Sequence, residues 1–168
     1  ALKAGAVNLK AHVDNVRKFG VPLLVAVNRF DTDSDAEVKA ILEACEEWGV
    51  MAVEADPHST TGTGCLELAD AVSNLLALGE ANFQPLYKND LGLREKIETI
   101  ATEIYGADGV DFVGQADQDI DHLESIGFGD VPVCIAKTQY SFSDDPSLLG
   151  RPSGFRIRVG GVTPSAGA

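Results

Sequence analysis

Asn28, Arg29, Phe30 and Asp31 stand in consecutive positions directly after the apolar run Leu23-Leu24-Val25-Ala26-Val27. The four residues place an amide, a guanidinium, an aromatic ring and a carboxylate where the run ends, and they are the first candidates for chemistry. A second group, Asp56-Pro57-His58-Ser59-Thr60-Thr61-Gly62-Thr63-Gly64, follows another short apolar run. A third, 137–145, is dense in side chains able to donate to phosphate or carboxylate, with Tyr140 and Phe142 interleaved. None of the signatures H-E-x-x-H, G-x-S-x-G or G-x-x-x-x-G-K-S/T occurs. His12, His58 and His122 are too far apart to assemble a metal site, and no residue is assigned a catalytic role. Cys45, Cys65 and Cys134 are odd in number and show no C-x-x-C spacing. That argues against a disulfide framework or a zinc site and fits a reducing cytoplasm.

The elements that must position these groups read as α/β. Val7, Leu9, Val13, Val16 and Phe19 recur at helical spacing before Gly20, with His12 near the apolar side. The run 23–27 has the composition of a parallel strand covered on both faces, and Pro22 is tolerated at its start. Ser34-x-x-Glu37 has the spacing of a capping box opening a helix through Glu47, in which Cys45 faces inward as a core thiol. A second strand spans 50–55, the polar stretch 56–64 is a loop, and a helix runs from Leu66 to about Leu78. This alternation predicts parallel βαβ units with helices on both faces. Loops 28–33 and 56–64 then share one sheet edge, where open α/β sheets collect ligands.

An extended link over 81–87 marks a boundary between portions 1–80 and 81–168. Beyond it the spacing predicts a helix over 93–104, a strand over 110–113 and a helix over 117–126. A third core strand containing Cys134 is expected over 131–136. An ordered loop follows over 146–152, and then an alternating strand over 155–159.

The 168 residues amount to one domain or a domain and a piece of another, with 45% hydrophobic and 23% charged residues, enough for a real core. A formal charge of −13 argues against nucleic acid and anionic membrane surfaces as partners. No apolar run is long enough to span a bilayer. The chain opens within a helical pattern without an initiator Met, so it reads as a piece of something larger. One reading of Asn28-Arg29-Phe30-Asp31 is a GTPase-like base-binding module, because it fits the N-K/R-x-D loop with which GTP-binding proteins hold guanine. No phosphate-binding loop accompanies it.

Longer strings point elsewhere. Val25-Ala26-Val27-Asn28-x-Phe30-x-Thr32-Asp33, Lys96-Ile97-Glu98-Thr99-Ile100-Ala101-x-Glu103-Ile104-Tyr105-Gly106-Ala107-Asp108-Gly109-Val110 and Gly127-Phe128-Gly129-Asp130-x-Pro132-Val133-Cys134-x-Ala136-Lys137-Thr138-Gln139-Tyr140-Ser141 resemble formate–tetrahydrofolate ligase. Ser143-Asp144-Asp145-Pro146, Leu149-Gly150-Arg151-Pro152 and Ser165-Ala166-Gly167-Ala168 extend the match in order. The resemblance implies a P-loop NTPase-like α/β fold followed by a smaller α+β portion, and an internal fragment from the C-terminal half of a larger multidomain enzyme. It also implies ATP-dependent ligation of formate to tetrahydrofolate through formyl phosphate, with Mg accompanying ATP, a monovalent cation as a further possibility, and a homotetramer when full length. In the family the pterin stacks between an aromatic of an Asn-x-Phe-Pro-Thr-Asp loop and a Trp of the following Gly-rich loop. Phe30 matches the first, with Asn28 beside it, and Asp31 replaces the usual Pro. His58 falls where many members carry Trp. For Leu149, Gly150, Arg151 and Pro152 the resemblance leaves adenine contact and interdomain contact both open. For 137–141 it leaves nucleotide contact and packing open. With the phosphate-binding loop absent from its residues, the chain by itself is expected not to turn over.

Overall fold

The structure, a computed structural model, describes residues 2–137 and 141–165. It divides into two compact units, Ala1–Gln84 and Pro85–Ala168.

In the first unit α1 (Leu2–Arg17) leads to β1 (Leu24–Asn28), α2 (Asp35–Glu47) and β2 (Met51–Ala55), and α4 (Leu66–Leu78) closes the unit. The two strands pair in parallel, from Leu24 opposite Met51 to Asn28 opposite Ala55, so they end level. The Arg29 N–H extends the ladder by one bond to Ala55 O at 2.9 Å. α2 starts where the capping box places it: Ser34 Oγ accepts from the Glu37 N–H, and the Glu37 carboxylate accepts from the Ser34 N–H. Val13, Cys45 and Val50 form the buried centre, with Leu9, Leu23, Val25, Ile41 and Trp48 packed on it. Cys45 is a core thiol, and burial pushes its pKa up. α4 turns its less exposed Leu68, Ala71 and Leu75 to one side and ends at Gly79, whose left-handed φ of 64° a side chain would resist.

Three expectations change here. The stretch 56–64 is not an open loop, because α3 (Pro57–Thr60) and a 3₁₀ turn (Thr61–Cys65) occupy it. β1 is not covered on both faces: only Val27 is buried, and Ala26, which points to the opposite face, is exposed. His12 is exposed although it lies between buried Ala11 and Val13, because adjacent helix positions point about 100° apart.

The second unit contains α5 (Leu93–Glu103), β3 (Val110–Phe112), α6 (Ala116–Ser125) and β4 (Ile157–Val159). β3 and β4 are parallel, with Val110 opposite Ile157 and Phe112 opposite Val159. This unit is therefore α/β like the first, not a smaller α+β portion. Leu93, Ile97 and Ala101, spaced by four along α5, are buried, as are Ala116, Ile120 and Leu123 of α6 and Phe155 and Ile157 around β4. Lys96 is also fully buried on α5; its Nζ donates to Gly129 O at 2.6 Å and Val131 O at 3.2 Å. The strand expected over 131–136 is absent, and Cys134 is exposed rather than core. The segment alternates in burial over 132–137, yet two backbone groups of 131–136 are taken by side chains, Val131 O by Lys96 and the Val133 N–H by Tyr87 Oη at 2.9 Å. A strand needs a ladder partner, and among the described residues this segment has none. Lys137, at its end, donates to Ser141 O and lies 4.9 Å from the centre of the Tyr105 ring; burial lowers its pKa.

Candidate functional site

Because β1 and β2 end level, the residues that follow them emerge on one edge of the first unit. Asn28 is the last residue of β1 and is exposed. Arg29 is fixed by two carboxylates, donating through Nη1 to Glu54 Oε1 at 2.9 Å and through Nη2 to Asp35. The bond to Glu54 and then that to Asp35 hold the guanidinium well above its ordinary pKa. With Arg29 anchored back along the sheet and the Phe30 N–H donating to Asp33 Oδ2 at 2.9 Å, the turn projects Phe30 outward, 48% exposed.

The facing wall is α3. Its first turn is built on Asp56, whose Oδ1 accepts from the Ser59 N–H at 2.8 Å and whose carbonyl accepts from Thr60 Oγ1 at 2.6 Å. The Asp56 N–H donates to Gly64 O at 3.1 Å, folding the 3₁₀ turn back against α3. A Cβ on Gly64 would stand 2.3 Å from Asp56 O, so this fold-back requires glycine. His58 is thereby presented to Phe30 with ring centroids 5.9 Å apart and planes inclined by 49°. Ser59 Oγ donates to Asp31 Oδ1 at 2.5 Å, and His58 Nδ1 lies 4.0 Å from Asp31 Oδ2.

The structure thus brings Phe30, His58 and Asp31 together at the strand ends, with Asn28 at the base of the same loop. Leu149, Gly150, Arg151 and Pro152 belong to the second unit. Gly150 bridges Ser141 in parallel and takes a φ of 74°, Leu149 is 69% exposed, Arg151 is exposed and Pro152 is half-buried. Residues 138–140 and 166–168 lie outside the described residues. Two crevices lie away from the two rings. One of about 470 Å³ lies between α1 and α2, and one of about 250 Å³ lies beside β4. Among the described residues no group of three His, Cys, Asp or Glu side chains could hold a metal ion, and no helix is long and apolar enough to cross a membrane.

Sequence reasoning missed Ser59 and Glu54 as partners of the loop, and the clash that makes Gly64 obligatory. The parallel register was the available signal, since it places Glu54 one step before the strand end and Ser59 beside His58.

Parallel strands ending together under an exposed aromatic pair define an α/β protein whose strand ends carry Phe30 and His58 on one edge. The chain belongs to the formate–tetrahydrofolate ligase family, whose family model matches residues 1–168. Tetrahydrofolate, formate and ATP are that family's substrates.

Proposed function

We propose that this chain supplies the folate side of formyl transfer in an ATP-dependent ligase of one-carbon metabolism. In the reaction ATP phosphorylates formate to formyl phosphate. The N10 amine of tetrahydrofolate then attacks the formyl carbon, the C–O bond to phosphate breaks, inorganic phosphate leaves and N10 loses its proton, giving 10-formyltetrahydrofolate. Activation is needed because hydroxide is a poor leaving group and phosphate a good one. Phe30 and His58 take the two faces of the pterin, and Asn28 offers its amide to the pterin edge.

The observation carrying this reading is the Phe30–His58 pair, 5.9 Å apart at the ends of adjacent parallel strands in a chain of this family. Among the described residues no three His, Cys, Asp or Glu side chains gather at one place and the sequence holds no phosphate-binding loop, so no step of the phosphoryl transfer is assigned to them. The Leu149, Gly150, Arg151 and Pro152 loop is the chain's candidate for adenine contact, supported by the exposure of Leu149 and Arg151. The reading places the enzyme in the cytoplasm as a homo-oligomer, supported by its unpaired cysteines and its family.

The test is Phe30→Ala in the full-length protein. Stacking of a base on an aromatic is worth roughly 1–3 kcal/mol, so the tetrahydrofolate KM should rise about tenfold or more, at 1.4 kcal/mol per decade. The KM values for ATP and formate should not move. An unchanged tetrahydrofolate KM removes Phe30 from the site and with it this reading.

A further inference from the structure

The two rings stand too close to be used as they are. A planar ligand sandwiched between them needs a stacking layer on each face, which at about 3.5 Å per layer requires ring centroids roughly 7 Å apart and near-parallel planes. The observed pair is 5.9 Å apart and tilted by 49°, so the rings contact one another instead.

Each wall is internally tied, Phe30 through its N–H to Asp33 and α3 through Asp56. The hydrogen bond that joins one wall to the other is Ser59 Oγ to Asp31 Oδ1, at 2.5 Å between the immediate chain neighbours of the two rings. The acceptor is a carboxylate, and such bonds are shorter and stronger than neutral ones. The second oxygen of Asp31 lies 4.0 Å from His58 Nδ1, so Asp31 approaches both residues at the start of α3.

We propose that Asp31 and Ser59 form a clasp that sets the gap between Phe30 and His58, and that the planar ring of the folate is admitted when this hydrogen bond opens. Both are positioning residues for the site proposed above, and the inference rests on that reading. Part of the binding free energy is spent on separating the walls, so releasing the clasp beforehand tightens apparent binding.

Steady-state kinetics of the full-length protein carrying Ser59→Ala, Asp31→Ala and Asp31→Asn test this. The first two should lower the tetrahydrofolate KM about fivefold, the loss of one solvent-exposed charged hydrogen bond of about 1 kcal/mol, with the KM values for ATP and formate unchanged. Asp31→Asn keeps an oxygen able to accept from Ser59 but loses the charge, so its tetrahydrofolate KM should fall between the parent value and that of Asp31→Ala. An unchanged or raised tetrahydrofolate KM in either alanine variant overturns the clasp, as does an Asn variant that binds as tightly as Asp31→Ala. Phe30→Ala run alongside separates the two failures. If it raises the folate KM while the clasp variants do not lower it, the site stands and the clasp falls. If Phe30→Ala has no effect, both fall.

Discussion

Gly64→Ala is the substitution on which the geometry of the second wall depends most sharply. A Cβ at this position would meet Thr60 Oγ1 at 2.0 Å and Asp56 O at 2.3 Å, more than 1 Å short of the 3.4 Å of ordinary contact. Rotating Thr60 relieves the first overlap at the expense of its hydrogen bond to Asp56 O, and leaves the second untouched because that atom is backbone. Relief therefore requires α3 to move relative to the 3₁₀ turn, carrying His58 and Ser59 with it. Overpacking of this kind costs about 1–3 kcal/mol, and the Thr60 hydrogen bond adds about 1 kcal/mol. A displacement near 1 Å at a binding group can cost on the order of a hundredfold in rate, so kcat/KM for tetrahydrofolate should fall by about ten- to a hundredfold. Gly62→Ala is the matched control, since nothing lies within 4 Å of its Cβ and its φ is not among the left-handed ones. Thermal melting and kcat/KM at saturating ATP and formate, measured on both variants of the full-length protein, provide the comparison. Thr60→Ala combined with Gly64→Ala should not restore activity. If Gly64→Ala behaves like Gly62→Ala in both measurements, the close approach does not hold the wall and the reasoning is wrong.

Two further outcomes follow from the hydrogen bonds that hold each unit together. Lys96→Met keeps the buried stem but deletes the ammonium that serves Gly129 O and Val131 O, and should destabilise the second unit by about 1.5–3 kcal/mol. Val131 is partly exposed, so water can recover some of that loss and the lower end is expected. Amide hydrogen exchange over 129–133 should accelerate accordingly, and unchanged exchange would show that the two bonds hold nothing. In the first unit the Ser34 hydroxyl and N–H lower the Glu37 pKa, so the folded state binds that proton less readily than the unfolded chain. The cap's contribution is then complete above the ordinary Glu range near 4.3 and is lost as pH falls through the lower folded value. Glu37→Gln should lower the melting temperature at pH 7 and converge with the parent in acid; a gap that persists at pH 2 would contradict this.

What the sequence made legible is what local chemistry decides. The capping box at Ser34 and Glu37, the helical stripes of α2 and α5, the Gly79 stop and the parallel order of β1 and β2 are written in spacing and residue type, and each stands where that spacing places it. The stretch 131–136 failed for a complementary reason. Its alternation is the pattern of a strand, and the alternation persists in its burial, but a strand is defined by its neighbour and no residue type records whether one is present. Lys96 escaped notice because a lysine within a helical stripe reads as surface until the carbonyls it serves are seen. At the candidate site, Phe30 and His58 were legible as occupants of the two strand-end segments. The Asp31–Ser59 bond was not, because it spans 28 residues and depends on α3 being a helix rather than an open loop.

The charges at this edge also decide which part of the chemistry it can serve. Arg29 is the one permanently cationic residue in either strand-end segment, and its guanidinium is committed to Glu54 and Asp35. Asp31, Asp33 and Asp56 surround the rings with carboxylates already engaged by Ser59, the Phe30 N–H and the Ser59 N–H. Among the described residues of these two segments, an acyl phosphate dianion would meet these carboxylates and an arginine already paired, whereas a neutral pterin loses nothing by the same surroundings. Stacking and amide hydrogen bonding are thus the interactions these loops can supply. On the function proposed above, the anionic reactant is then held by residues outside these loops, and the folate is bound here by shape and not by charge.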